Sequence, residues 1–144
     1  MQQIISHSED ETREIGKKIA QQLNIGDILC LKGDLGAGKT LLSKSIAHAF
    51  GVKEPVTSPT FTIVHEYEGR FPLYHFDVYR IHDIDEMYEI GIEEYLYGDG
   101  VCLIEWADKI QEILPEESIW IELSRGEGDN DRILNIRGEL IMNN

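Results

Sequence analysis

Positive charge is scarce in this sequence. Its 144 residues carry 13 Lys and Arg against 27 Asp and Glu, a formal net charge of −14 at pH 7. A chain so acidic repels polyanions, which excludes tight unaided binding of RNA or DNA by phosphate neutralisation, and it draws basic proteins towards it. Cysteine is equally sparse. Cys30 and Cys102 sit in the apolar runs ILCLK and VCLIE without Cys-x-x-Cys spacing, which excludes a zinc ribbon or a disulfide framework and leaves both as small buried hydrophobes. No apolar run approaches the roughly 18 residues of a membrane span. The opening MQQIISHSEDE lacks the basic start and apolar middle of a secretory signal, so a cytoplasmic location is expected. Repeats, low-complexity tracts and linkers are also missing, and the length suits one domain spanning 1–144.

What is present is a regular alternation of strand and helix patterns. Gln2 to Ser6 suits a short strand, and Ser8 followed by Glu11 is a capping-box signature. Ile15, Ile19 and Leu23 then keep helical spacing until Asn24 and Gly26 end it. Ile28 to Leu31 reads as a fully buried strand, followed by GDLGAGKT and a helix from Lys39 to Phe50 that Gly51 stops. A Pro-containing loop, Pro55 to Thr60, leads to a hairpin of Phe61 to Tyr67 and Phe71 to Tyr79 around Glu68-Gly69-Arg70. A helix is expected from Asp83 to about Tyr97, interrupted by Gly91. Val101 to Trp106 forms a second apolar strand, Ala107 to Leu114 a short helix stopped by Pro115, and Ile119 to Ser124 with Ile133 to Arg137 a final hairpin. The fold class expected is α/β and P-loop NTPase-like: a central, mostly parallel sheet with antiparallel hairpin additions and helices on both faces.

GDLGAGKT fits Gly-x-x-x-x-Gly-Lys-[Ser/Thr] at every fixed position, Gly33, Gly38, Lys39 and Thr40, and lies between a strand and a helix as a phosphate-binding loop must. Glycines 33, 36 and 38 let the backbone approach phosphates closely, so that amides converge on the oxygens while the helix adds its positive end. Asp34, Leu35, Gly36, Ala37, Gly38, Lys39, Thr40 and Leu41 form the expected nucleotide cradle. Within it Lys39 bridges the β- and γ-phosphates and the Thr40 hydroxyl takes a position on Mg²⁺.

Magnesium held this way normally has a carboxylate nearby at the end of an adjacent strand. Glu105, closing VCLIE, and Asp77, in LYHFDVY, both qualify by strand position. Thr60, in the loop after the first nucleotide-binding helix, reads either as a γ-phosphate sensor or as a plain turn hydroxyl. His48, His65 and His75 lack metal-ligand spacing and read as structural or solvated. Trp106 is equally a core residue or a surface anchor.

GDLGAGKT, TSPTFTIVHEY, YHFDVYR and LIEW, in this order and spacing, closely resemble the bacterial TsaE family (older name YjeE), small ATPases needed for threonylcarbamoylation of adenosine 37 in ANN-decoding tRNAs. The resemblance runs from the first helix to the last hairpin. It implies ATP with Mg²⁺ as the bound species and TsaB and TsaD as partners, through which tRNA is reached. It further implies that Thr40 and Glu105 hold the metal, with Asp77 as a metal-shell or water-positioning carboxylate. By the same resemblance the Ser58-Pro59-Thr60 loop is a switch, Trp106 is a functional neighbour, and Thr12 and Arg132 lie at the adenine end.

Two other readings fit the residues. A small-molecule kinase of the P-loop class would bring lid arginines, whereas the six here, at 13, 70, 80, 125, 132 and 137, show no lid-like cluster in sequence. A nucleotide-gated binding module without significant turnover is harder to separate, since Arg80 beside Asp77 is the one candidate arginine finger. Slow intrinsic hydrolysis is therefore expected. A GTPase is disfavoured by the absence of Asn-Lys-x-Asp.

Overall fold

The two central strands are apolar throughout because both of their faces are covered. In a computed structural model of the chain, which describes residues 1–59 and 63–142, β2 (Ile28–Lys32) and β5 (Val101–Glu105) pair in parallel. Since side chains alternate along a strand, Leu29, Leu31, Val101 and Leu103 enter one core while Ile28, Cys30, Cys102 and Ile104 enter another. Both thiols are buried as expected, and desolvation pushes the Cys102 thiol up to about 12.

The remaining strands are β1 (Gln2–Ser6), β3 (Val64–Glu68), β4 (Pro72–Asp77), β6 (Ile119–Arg125) and β7 (Arg132–Arg137). Among the described residues the strands make one sheet in the order β1-β7-β6-β2-β5-β4-β3. Its centre, β6-β2-β5-β4, is parallel, and β1, β7 and β3 add antiparallel at the two edges. The fold is thus the expected α/β arrangement with one refinement. The β3–β4 hairpin is no separate insertion, because β4 also pairs in parallel with β5 and sets Asp77 opposite Glu105.

Helices α1 (Glu9–Gln22) and α2 (Lys39–Ala49) cover the first core, with Ile15, Ile19, Leu42, Ile46 and Phe50 facing the sheet. Ser8 caps α1 by accepting from the Glu11 amide at 3.1 Å, and the Glu11 carboxylate accepts in turn from the amide of His7, one residue earlier than a standard capping box. At the other end Arg70, from the β3–β4 turn, donates to the carbonyls of Ala20 and Leu23 and lies 4.7 Å from the Phe50 ring. A cation is favourable at that pole of the helix. The second core is closed by α3 (Asp85–Glu89), α4 (Ile92–Leu96) and a 3₁₀ helix over Ala107–Ile113, through Met87, Ile92, Leu96, Ala107 and Ile110. The single helix expected from Asp83 to Tyr97 is two short ones because Gly91 takes φ +76 and turns the chain between them.

The α1–α2 contact has no slack at Gly16, where an added Cβ would meet Ser45 Cβ at 2.8 Å. Gly16→Val is therefore expected to lower stability by about 1–3 kcal/mol, the usual cost of overpacking, as measured by urea unfolding. Unchanged stability would show that the two helices separate freely.

Candidate functional site

The C-terminal edge of the parallel strands gathers most of the residues singled out in the sequence. GDLGAGKT turns between β2 and α2 with Gly33, Gly36 and Gly38 at φ +151, +79 and +107, a region that side chains with a Cβ rarely adopt. Gly33 is the tightest, since a Cβ there would lie 2.3 Å from the Leu123 carbonyl oxygen. Gly38 begins α2 in the left-handed conformation, with no side-chain cap and no acidic residue in the first turn. The positive end of α2 is consequently left for an external anion.

Lys39 is buried, and its Nζ folds back to donate to the carbonyls of Gly33 at 2.5 Å and Asp34 at 2.8 Å. The same ammonium stands 3.9 Å from the centre of the Trp106 ring, within cation–π range. Trp106 reaches it because its own backbone takes φ +63, a conformation that costs a non-glycine residue about 1–2 kcal/mol. Burial is the largest influence on Lys39 and holds its pKa below the usual lysine value, with Glu105, Asp108, Asp34 and Asp77 pulling the other way.

The two carboxylates are distinguished by their surroundings. Glu105 is 1% exposed and ends β5; its Oε1 accepts from Thr40 Oγ1 at 3.3 Å, and its Oε2 lies 2.6 Å from His75 Nε2. Asp77 is only half-buried: Oδ2 accepts from Ser58 Oγ at 2.9 Å and Oδ1 from the Tyr79 amide at 3.0 Å. Ser58 thereby ties the Pro55–Pro59 loop to the end of β4. That loop is fixed to β3 as well, through Tyr67 Oη and His65 Nδ1 against Thr57. These groups border a cavity of about 370 Å³ lined by Leu35, Gly36, Gly38, Lys39, Thr40, Leu41, Asp77, Tyr79, Arg80, Glu105 and Trp106. A larger cleft, about 690 Å³ around Glu117, Trp120 and Arg137, holds none of the expected site residues.

Residues at the other flank of the loop come from the β6–β7 hairpin. Arg125 and Arg132 face each other across it; Arg125 Nη2 is 2.7 Å from where a Gly36 Cβ would be, and Arg132 Nε 3.8 Å from the corresponding point at Gly38. Thr12 lies outside the cavity, its buried hydroxyl 2.7 Å from Ser6 Oγ. Next to it His7 Nδ1 meets Asp131 Oδ1 at 3.1 Å, the contact chiefly responsible for holding the Asp131 carboxyl below the usual range. Ala37 is buried under the loop, its amide donating to Asp34 O at 3.1 Å. Thr60 falls outside the described residues.

The family model described as "Threonylcarbamoyl adenosine biosynthesis protein TsaE" matches residues 6–134. The chain belongs to the TsaE family. A relative from Bacillus subtilis (strain 168), a tRNA threonylcarbamoyladenosine biosynthesis protein TsaE, is 49% identical over 85% of this chain and 77% of its own length. One of the same description from Treponema pallidum (strain Nichols) is 41% identical over 83% of this chain and 88% of its own. The crystal structure of Bacillus subtilis YdiB superimposes with a TM-score of 0.79 at 42% identity, covering 92% of this chain and 82% of that one. The resemblance read from the motifs is thus borne out, and with it the P-loop NTPase-like fold.

Two residues at this edge, His75 and Arg125, are not singled out as site residues in the sequence. His75 has no ligand spacing, and only the strand alternation that puts it on the face of Asp77 could have flagged it. Arg125 is separated by a polar turn from Arg132, which the resemblance places at the adenine end, and the hairpin register alone makes the two neighbours.

The depressed pKa of Lys39 has a consequence for stability. The unfolded chain holds this proton at a higher pH than the folded one, so stability rises with pH between the folded pKa and the ordinary value of 10.5. Lys39→Met removes that rise. Urea midpoints of both proteins from pH 7 to 10.5 are expected to show the wild type gaining on the variant; parallel curves would contradict the buried placement of the ammonium.

Proposed function

We propose that the chain binds ATP with Mg²⁺ at GDLGAGKT, hydrolyses it slowly by itself, and acts with TsaB and TsaD to support turnover in threonylcarbamoylation of tRNA adenosine 37. The observation that carries this reading is the approach of Thr40 Oγ1 to Glu105 Oε1 at the mouth of an uncapped helix. Two hard oxygen donors side by side suit Mg²⁺, which keeps several waters and shares its shell with phosphates. Among the described residues no group of three His, Cys, Asp or Glu could hold a metal alone, so a cation here relies on the nucleotide for its remaining ligands. Magnesium, when bound, neutralises charge on the phosphate oxygens.

The chain's own groups divide the work. Loop amides from Gly36 to Leu41 and the α2 dipole hold the phosphates in place. Lys39 exchanges the carbonyls of Gly33 and Asp34 for phosphate oxygens, so its charge gains the anion that burial denies it. Asp77, less buried than Glu105 and hydrogen-bonded to the Ser58 loop, is suited to orient the attacking water and to pass the state of that loop to the site. Thr60, in the same loop, serves in this reading as the γ-phosphate sensor.

Arg125 and Arg132 present planar guanidiniums on the flank of the loop away from Glu105, where a purine can stack. Thr12 contributes there by fixing Ser6 and the start of α1. Among the described residues Arg80 is the one arginine lining the cavity, which supports slow hydrolysis in isolation. An acidic surface supports tRNA being reached through the TsaB–TsaD complex.

Single-turnover ATP hydrolysis with and without purified TsaB–TsaD tests the proposal. The wild type is expected to be stimulated by the complex. Thr40→Ala and Glu105→Gln are expected to lose about a hundredfold or more in rate, as when one transition-state contact is removed, and Arg132→Ala to raise the ATP concentration required with little change in rate. Wild-type rates in the first two variants, or stoichiometric transfer to a phosphorylated acceptor, would contradict it.

A further inference from the structure

His75 is 2% exposed and its Nε2 makes a short contact, 2.6 Å, to Glu105 Oε2. The ring comes from β4, where Leu73, His75 and Asp77 point to the same face as Val101, Leu103 and Glu105 of β5. Leu103 is the residue directly opposite His75, so the contact to Glu105 is a diagonal one, within reach of long side chains. Its effect on Glu105 is unequal. One carboxylate oxygen is held closely by a buried donor, while the other faces Thr40 at 3.3 Å, the outer limit of a hydrogen bond. The less engaged oxygen is the one beside Thr40, which lines the cavity.

The second ring nitrogen decides which proton His75 carries. Nδ1 is buried and has no hydrogen-bond partner among the described residues. An N–H at that position would be a stranded donor, whereas a bare nitrogen loses less. The proton therefore belongs on Nε2, between the ring and the carboxylate. A buried carboxylate free to rotate would put either oxygen, or neither, beside Thr40; the Nε2–H bond selects one orientation.

We infer that His75 is a positioning residue that donates from Nε2 to Glu105 Oε2 and so aims Oε1, together with Thr40 Oγ1, at the divalent cation accompanying the nucleotide. The inference rests on the reading of Glu105 as a metal ligand. Hydrogen bonds to ligating groups of this kind carry about 10- to 100-fold in metal affinity. His75 does not line the cavity and acts only through Glu105.

Manganese, followed by its EPR signal in the presence of ADP, tests this without turnover. The wild type is expected to bind Mn²⁺ with ADP; His75→Leu, which removes the donor, is expected to weaken Mn²⁺ about tenfold or more while changing ADP affinity in EDTA by less than about twofold. His75→Gln, whose amide can place a donor near the Nε2 position, is expected to recover most of the loss. Unchanged Mn²⁺ affinity in folded His75→Leu overturns the inference, and so does a parallel loss of Mn²⁺ and metal-free ADP binding, which marks a purely structural role. Failure of the wild type itself to take up Mn²⁺ with ADP overturns the reading of Glu105 as a ligand and this inference with it. Where the leucine variant does not fold, the ¹⁵N spectrum of the wild-type histidine ring supplies the test. A proton on Nε2 with a bare Nδ1 supports the assignment, and a proton on Nδ1 with a bare Nε2 overturns it.

Discussion

Leu31 pairs with Glu105 across β2 and β5, and Glu105 pairs with Asp77 across β5 and β4. This parallel register is the constraint on which the site depends, because it ends three strands at one level beneath the start of α2. Parallel strands require crossover connections, and GDLGAGKT leaves Lys39 and Thr40 at that edge, where α2 starts away from β2. A slip of one residue on β5 would turn Glu105 into the opposite core and bring Ile104 to the cavity. The apolar burial on both faces of β5 is what forbids the slip.

The charge distribution follows a consistent logic. The chain carries a large excess of carboxylates, yet its proposed ligand is a polyanion. The oxygens of Glu105 and Asp77 are engaged locally by hydrogen bonds: Glu105 with His75 and Thr40, Asp77 with Ser58 and a backbone amide. In the proposed function the attraction for phosphate comes from main-chain amides and one buried lysine rather than from a basic surface. Lys39 is stabilised without a ligand by two carbonyls and the Trp106 face, an arrangement that an incoming phosphate can replace at small cost. The strained backbone of Trp106 is maintained by its neighbours, including the Tyr79 ring at 4.6 Å.

Much of this was legible in the sequence, for identifiable reasons. Unbroken apolar runs at 28–31 and 101–104 between turn residues read as strands covered on both faces, and a glycine-rich loop after the first marks the place proposed for phosphate. The strand-end position of Glu105 and Asp77 follows from where those runs stop. Illegible were the contacts made by pairing: His75 with Glu105 is a diagonal across two strands far apart in sequence, and Arg125 opposite Arg132 depends on hairpin register. The break at Gly91 was readable as an interruption, but the left-handed turn it makes was not. The Ser58–Asp77 bond depends on a loop path that two prolines restrict without specifying.

The central claim is that backbone amides at the head of α2 seat a triphosphate. Amide-resolved NMR of the ¹⁵N-labelled chain titrated with Mg·ATP tests it most directly. The account predicts saturable shifts, largest at Gly36 to Leu41 and followed by Trp106. No shifts at saturating nucleotide, or shifts confined to the cleft around Glu117 and Arg137, would contradict it.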